Sequence, residues 1–174
     1  MHRIAIERLD TLNDGKVLSE LADVLLDCVE GGASVSFMAS LTPDRAAQYW
    51  QSRNKQIEAG EIALLVARDA TTRIVGTVQL MLAQPENQPH RADVAKLLVH
   101  RQARQQGIGA ALMTKAESWA RREGKMLLVL DTATGSSAES LYPRLGWQQS
   151  GIIPDYALMP DGTLTATTVF FKYL

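Results

Sequence analysis

The sequence predicts an α+β (mixed α/β) fold: a central, mostly antiparallel, twisted sheet of about seven strands with helices on both faces. Three observations predict it. Short apolar runs follow one another closely in the middle of the chain, as antiparallel neighbours do. One strand–helix–strand unit comes after them, and such a crossover joins parallel strands in a right-handed sense. Segments with apolar residues at helical spacing stand before and within this run of strands.

The elements follow in order. Residues 3–9 alternate weakly (Arg3, Ile4, Ala5, Ile6, Glu7) and read as a first strand. Asp14 suits a helix cap, and Val17, Leu18, Leu21, Val24, Leu25, Cys28 and Val29 then share one helical face until Gly31-Gly32. Residues 33–38 have no period and leave Phe37 and Met38 in or near a loop. Thr42-Pro43 opens a second helix, as N-cap and first helical position, which stops near Gly60. Apolar runs at Ile62–Arg68, Ile74–Leu82 and Ala92–Val99 read as strands, the first two joined by a hairpin through Asp69–Arg73. A helix from Gly107 to about Glu123 and a buried strand over Met126–Asp131 complete the crossover. Ser136-Ser137-Ala138-Glu139 has capping-box form, and Pro143 should shorten or bend the helix it opens. Trp147–Ile152 and Thr167–Tyr173 read as the last two strands.

Composition excludes several classes. The 174 residues suit one domain, 1–174, with no repeat or linker, and the formal net charge of −1 offers no field for nucleic acid. No apolar run approaches the ~20 residues of a membrane helix and no signal-peptide core is visible, so no membrane partner is expected. One cysteine, Cys28, permits no internal disulfide and agrees with a cytoplasmic setting. No Cys/His group has metal-ligand spacing, and no metal is expected.

The most informative stretch is Val94–Ala111. An apolar strand runs into a basic, amide-rich loop, and Gly107-Ile108-Gly109 then opens a helix. Backbone N–H groups at such a helix start lack partners and point along the helix dipole, which suits phosphate oxygens. Arg101 and Arg104 add positive charge. A ligand carrying a pyrophosphate is the expectation. No Lys-Ser/Thr follows the glycines, so this is not a P-loop, and the third glycine of a dinucleotide fingerprint is missing.

Arg104-Gln105-Gln106-Gly107-Ile108-Gly109 resembles the R/Q-x-x-G-x-G/A signature of the GCN5-related N-acetyltransferases, the GNAT superfamily. Two further marks stand in the same order: the strand Val94–Val99 before the signature, and Leu141-Tyr142-Pro143-Arg144-Leu145-Gly146-Trp147, similar to that family's YxxxGF helix end. Residues 31–38, 91–97 and the tail from Pro154 resemble the branch of tabtoxin resistance acetyltransferases, which act on an amino-acid-like β-lactam toxin.

The resemblance implies a GNAT-type fold and acetyl transfer from acetyl-CoA to the amine of a small molecule, with detoxification of a toxin or antibiotic-like compound as the role. It implies that Leu98, Val99, Arg104, Gln105, Gln106, Gly107, Ile108, Gly109, Ala110, Ser137 and Tyr142 hold the cofactor. A backbone N–H near Leu98 or Val99 would stabilise the thioester oxyanion. Tyr142 is the expected proton donor to the CoA thiolate, although a tyrosine closing a helix end onto a core would look the same. Asp93 and Asp131 are the candidate bases, with a strand-edge charge and a loop cap as their structural alternatives. A carboxylate of pKa ~4 deprotonates an ammonium poorly unless a water relays the proton. Phe37, Met38, Asp93 and Tyr156 are expected at the acceptor pocket, with Trp50 as either wall or core. Lys96 and Arg91 either pair with an acceptor carboxylate or stand as surface charges, the second being preferred; His90 and His100 have no visible partner and His100 is read as structural, and Cys28 as a buried hydrophobe. Asp131-Thr132 and Pro143 depart from the family pattern. A protein N-terminal or lysine acetyltransferase and a non-catalytic acyl-CoA-binding regulator remain as other readings, and the assembly is left as monomer or homodimer.

Overall fold

The computed structural model describes residues 4–174. The expected first strand is present over Ala5–Leu9; Arg3, where that reading started, lies outside the described residues. The elements run β1 (Ala5–Leu9), α1 (Gly15–Glu30), α2 (Pro43–Glu58), β2 (Ile62–Arg68), β3 (Ile74–Met81), β4 (Arg91–Val99), α3 (Ile108–Arg122), β5 (Leu127–Ala133), α4 (Leu141–Arg144), β6 (Gln148–Leu158) and β7 (Leu164–Tyr173). They form one seven-stranded sheet in the order β1-β2-β3-β4-β5-β7-β6. Every neighbouring pair is antiparallel except β4 with β5.

Local chemistry sets the helix starts. The Asp14 carboxylate accepts from the Lys16 amide at 2.8 Å, and the Thr42 hydroxyl accepts from the Arg45 amide with Pro43 at the first helical position. α1 and α2 cover one face of the sheet around Leu21, Leu25, Trp50, Ile57 and Leu64. α3 covers the other around Leu112, Met113, Leu128, Tyr142 and Phe170. At Gly76 a Cβ would stand 3.0 Å from the Leu98 carbonyl and 3.1 Å from Leu112, tighter than ordinary contact, so glycine lets α3 settle closely onto β3.

Two elements differ from expectation. The capping box does not open a long helix: the Ser136 hydroxyl accepts from the Glu139 amide, but α4 is a single turn. Pro143 sits in that turn, where its missing donor costs little, and Gly146 follows in the left-handed region. β6 and β7 are also longer than their apolar runs, because their outer halves pair with each other through the Asp161-Gly162 turn.

One feature of the sheet creates the site. β4 and β5 pair only at Arg91↔Leu127, Ala92↔Leu128 and Asp93↔Val129. Beyond these positions both strands continue, to Val99 and Ala133, without pairing to each other. The sheet therefore splits into a V, and the edge of β4 that faces β5 keeps unpaired backbone groups.

Candidate active site

The V opens into a cleft of about 1070 Å³. One wall is β4 from Val94 to Val99, the other is β5 from Leu130 to Ala133, and the loop Gly31–Val35 after α1 closes one end. The glycine loop and the first turn of α3 form its floor at the mouth of the V.

The six amides from Gln105 to Ala110 have no hydrogen-bond acceptor among the described residues, and no side chain caps α3. Gln105 (φ 61°) and Gly107 (φ 75°) both lie in the left-handed region, which turns successive N–H groups toward one side. A Cβ on Gly107 would meet nothing within 4 Å, so the space above the loop is open. Unsatisfied donors, a helix dipole and open space suit an anion with several oxygens. A pyrophosphate-bearing group fits these residues. Arg104 lies beside them, its Nε donating to the Val99 carbonyl at 3.0 Å.

Leu98, Val99, Arg104, Gln105, Gly107, Ile108, Gly109, Ala110, Ser137 and Tyr142 all line this cleft; Gln106, within the same loop, does not. Tyr142 projects from α4 and packs on Trp147 and Phe170, with ring centroids 6.0 and 5.4 Å away. Its hydroxyl has no hydrogen-bond partner among the described residues, and burial, with the charge of Asp131 adding to it, pushes its pKa up to about 12.

A second cavity of about 320 Å³ adjoins the first, lined by Phe37, Met38, Tyr156 and Leu158 among others. Ser34, Asp131, Thr132 and Ala133 line both cavities. The Asp131 carboxylate thus stands at their junction, where its Oδ2 accepts from the Thr167 hydroxyl at 2.8 Å.

The two candidate bases have different surroundings. Asp93 lines neither cavity. Its Oδ1 accepts from Arg91 at 2.6 Å and its Oδ2 from Gln84 at 3.1 Å, so both oxygens are engaged where β4 still pairs with β5. Trp50 is fully buried and donates to the Leu21 carbonyl at 2.9 Å, which makes it core. His100 caps the turn at Arg101–Ala103 and faces Asp23 and Asp27. Cys28 is buried as expected, but its thiol also reaches the cleft wall near the Val99 carbonyl, and burial pushes its pKa up.

For Lys96 the preferred of the two sequence readings does not hold. It is half-buried in the cleft wall, not a surface charge, and its ammonium stands 3.2 Å from the Ser36 hydroxyl. The cause is a β-bulge. Between the pairs Thr77↔Leu98 and Gln79↔Ala95, β3 advances by one residue fewer than β4. Lys96 takes up the excess with φ 51°, held by a 2.9 Å hydrogen bond from the Thr77 hydroxyl to its carbonyl. Nothing in the alternation of Val94–Val99 signals the bulge.

The model of the acetyltransferase (GNAT) family matches residues 32–147, and the chain belongs to that family. Membership makes it an acyltransferase that draws its acetyl group from acetyl-CoA. The aminoglycoside N(6')-acetyltransferase type 1 of Klebsiella aerogenes is 28% identical over 122 residues, 66% of this chain and 80% of that protein. Solved structures share the fold. The ribosomal-protein-alanine N-acetyltransferase of Brucella melitensis superposes with a TM-score of 0.79 at 20% identity, over 98% of this chain and 99% of that one. The structure of yncA from Salmonella typhimurium with its cofactor acetyl-CoA gives 0.79 at 16% identity, over 99% of this chain and 94% of that one. No helix of the described residues is long and apolar enough to cross a membrane.

Proposed function

We propose that this chain transfers an acetyl group from acetyl-CoA to the amine of a small, toxin-like or antibiotic-like amino compound, as the tabtoxin resistance branch does, and so detoxifies it. The observation that carries the reading is the row of unpartnered amides, Gln105–Ala110, at the mouth of the split sheet. They would grip the diphosphate of CoA. The pantetheine arm then runs along the unpaired edge of β4, where an N–H near Leu98 or Val99 would meet the thioester oxygen as it gains charge.

The acceptor enters from the smaller cavity. At about 320 Å³ it suits a small molecule better than a protein segment. Asp131, at the junction, accepts the ammonium proton through a water before the amine attacks, while Asp93 is held by Arg91 and Gln84. Tyr142 donates a hydrogen bond to the departing thiolate. Phe37, Met38 and Tyr156 form the wall against the acceptor's remainder.

The test pairs binding with turnover. Titration calorimetry should find acetyl-CoA binding tightly and S-acetylpantetheine, which lacks the diphosphate, at least about 100-fold weaker, equivalent to about 2.7 kcal/mol. Free-thiol release across a panel of amines, with aminoglycosides, amino acids and a β-lactam amino acid included, should identify an acceptor. Equal affinity for the two carriers would remove the assignment of the amides. Binding of acetyl-CoA without turnover of any amine would favour a regulator.

A further inference from the structure

Asp131 stands at the junction of the two cavities, and one hydrogen bond holds its carboxylate there. The residue is exposed. Among the described residues its carboxylate has a single hydrogen-bond partner, the Thr167 hydroxyl, which donates to Oδ2 at 2.8 Å. Asp93 differs, because Arg91 and Gln84 occupy both of its oxygens.

Thr167 is built as a fixed post. It lies on β7, paired to β5 at Ala133↔Thr167 and to β6 at Ile153↔Thr167. It is 3% exposed and lines the smaller cavity. Asp131 opposes Val169, so Thr167 is its diagonal neighbour on the same face of the sheet. A branched side chain on a strand turns little about χ1, which fixes the place of the hydroxyl oxygen.

Two acceptors compete for the one hydrogen this hydroxyl carries. The Thr167 oxygen is 3.0 Å from the Thr132 carbonyl as well as 2.8 Å from the Asp131 carboxylate. Hydrogen bonds to an ionised acceptor are about twice as strong as neutral ones, so the charged carboxylate takes it. A protonated Asp131 has no such advantage. The hydroxyl then turns to the carbonyl and stays satisfied although buried.

We propose that Thr167 is a positioning residue that latches Asp131 according to its charge. While Asp131 is ionised, Thr167 ties Oδ2 and leaves Oδ1 free at the junction. The ammonium N–H bond breaks to a water, the water passes a proton to Oδ1, and the freed nitrogen lone pair attacks the thioester carbonyl. Asp131 is then neutral, the Thr167 hydrogen swings to the Thr132 carbonyl, and the loosened acid turns outward to give its proton to solvent. This rests on the proposed role of Asp131 as base. Without the latch, three χ1 wells and a roughly two-fold χ2 leave about one-sixth of the carboxylates in the productive position.

The first test needs no acceptor. Three-bond couplings from the backbone nitrogen and carbonyl carbon to the side-chain carboxyl carbon report χ1 at position 131. At pH 7 they should show one dominant rotamer in the wild type and in Thr167→Ser, which keeps a hydroxyl. They should show averaging in Thr167→Val, which removes it, and in Asp131→Asn, which keeps the shape and removes the charge. Averaging in the wild type, or one rotamer in Thr167→Val, overturns the latch. One rotamer in Asp131→Asn overturns its dependence on charge.

Turnover is the second test, with the acceptor that the amine panel identifies. Thr167→Val should lower kcat about sixfold and leave KM for the amine and Kd for acetyl-CoA within about twofold. Thr167→Ser should recover most of the rate. In an Asp131→Asn background, Thr167→Val should change kcat by less than about twofold, because no charged carboxylate is left to aim. A wild-type kcat in Thr167→Val, or equal losses in both backgrounds, overturns the positioning role. Full turnover by Asp131→Asn alone would instead remove Asp131 as base, whatever the couplings show, so the two proposals fail separately.

Discussion

Replacing Tyr142 with Phe isolates one hydroxyl. The ring contacts with Trp147 and Phe170 survive, so folding should change by less than about 1 kcal/mol. The hydroxyl has no other hydrogen bond among the described residues to lose. Burial holds its pKa at about 12, well above the ~8.5 at which a free thiol such as that of CoA ionises. Full proton transfer from the phenol would be uphill by about 3.5 units, or about 5 kcal/mol. Tyr142 therefore works best as a hydrogen-bond donor that stays protonated while negative charge grows on sulfur. A hydrogen bond to a charged group is worth about 1.5–3 kcal/mol. Tyr142→Phe should thus lower kcat about 10- to 150-fold and leave the acetyl-CoA Kd within about twofold. Stopped-time thiol release at saturating acetyl-CoA gives the first number, and calorimetry the second. A kcat within twofold of wild type would refute the reasoning. So would a loss of rate matched by an equal loss of acetyl-CoA affinity, which would mean that the ring and not the hydroxyl had been used.

Further outcomes follow from the same geometry. Asp131→Asn should lower kcat/KM at least about tenfold, whereas Asp93→Asn should leave it within about threefold; the reverse pattern would return Asp93 to the role of base. Asp93→Asn should instead cost less than about 1 kcal/mol in urea unfolding, since its ion pair with Arg91 is partly exposed. Lys96 has its pKa lowered in the folded chain, first by burial and then by Arg53. The unfolded chain therefore holds this proton more tightly, and the penalty is fully present below the folded pKa. It fades as pH rises from that value toward the ordinary 10.5. Lys96→Met should be more stable than wild type at pH 7, with the gap closing above that range; urea midpoints at pH 7 and 10.5 check the sign.

Much of this was legible along the chain because local chemistry wrote it. Asp14 and Thr42 cap where their side chains predict, and the four middle strands match their apolar runs to within a residue or two. The glycine loop signals its free amides in the sequence, since a strand that runs into Gly-x-Gly at a helix start has no acceptors to offer them. What the sequence hid depends on register and on residues far apart. Where β4 and β5 stop pairing is decided by the twist and packing of the whole sheet, and that parting sets the cleft. Asp131 and Asp93 look alike as text; one stands between two cavities, and the other is spent on Arg91 and Gln84.

Lys96 makes the division sharpest. Its charge is plain in the sequence, and on a regular strand it would pass for solvated. One extra residue against β3 turns it toward α2, where Arg53, Tyr49 and Ser36 arrive from segments 43 to 60 residues away. Spacing along a chain fixes which groups a turn or helix presents. Only the folded sheet, by summing small shifts of pairing over several strands, decides which of them meet.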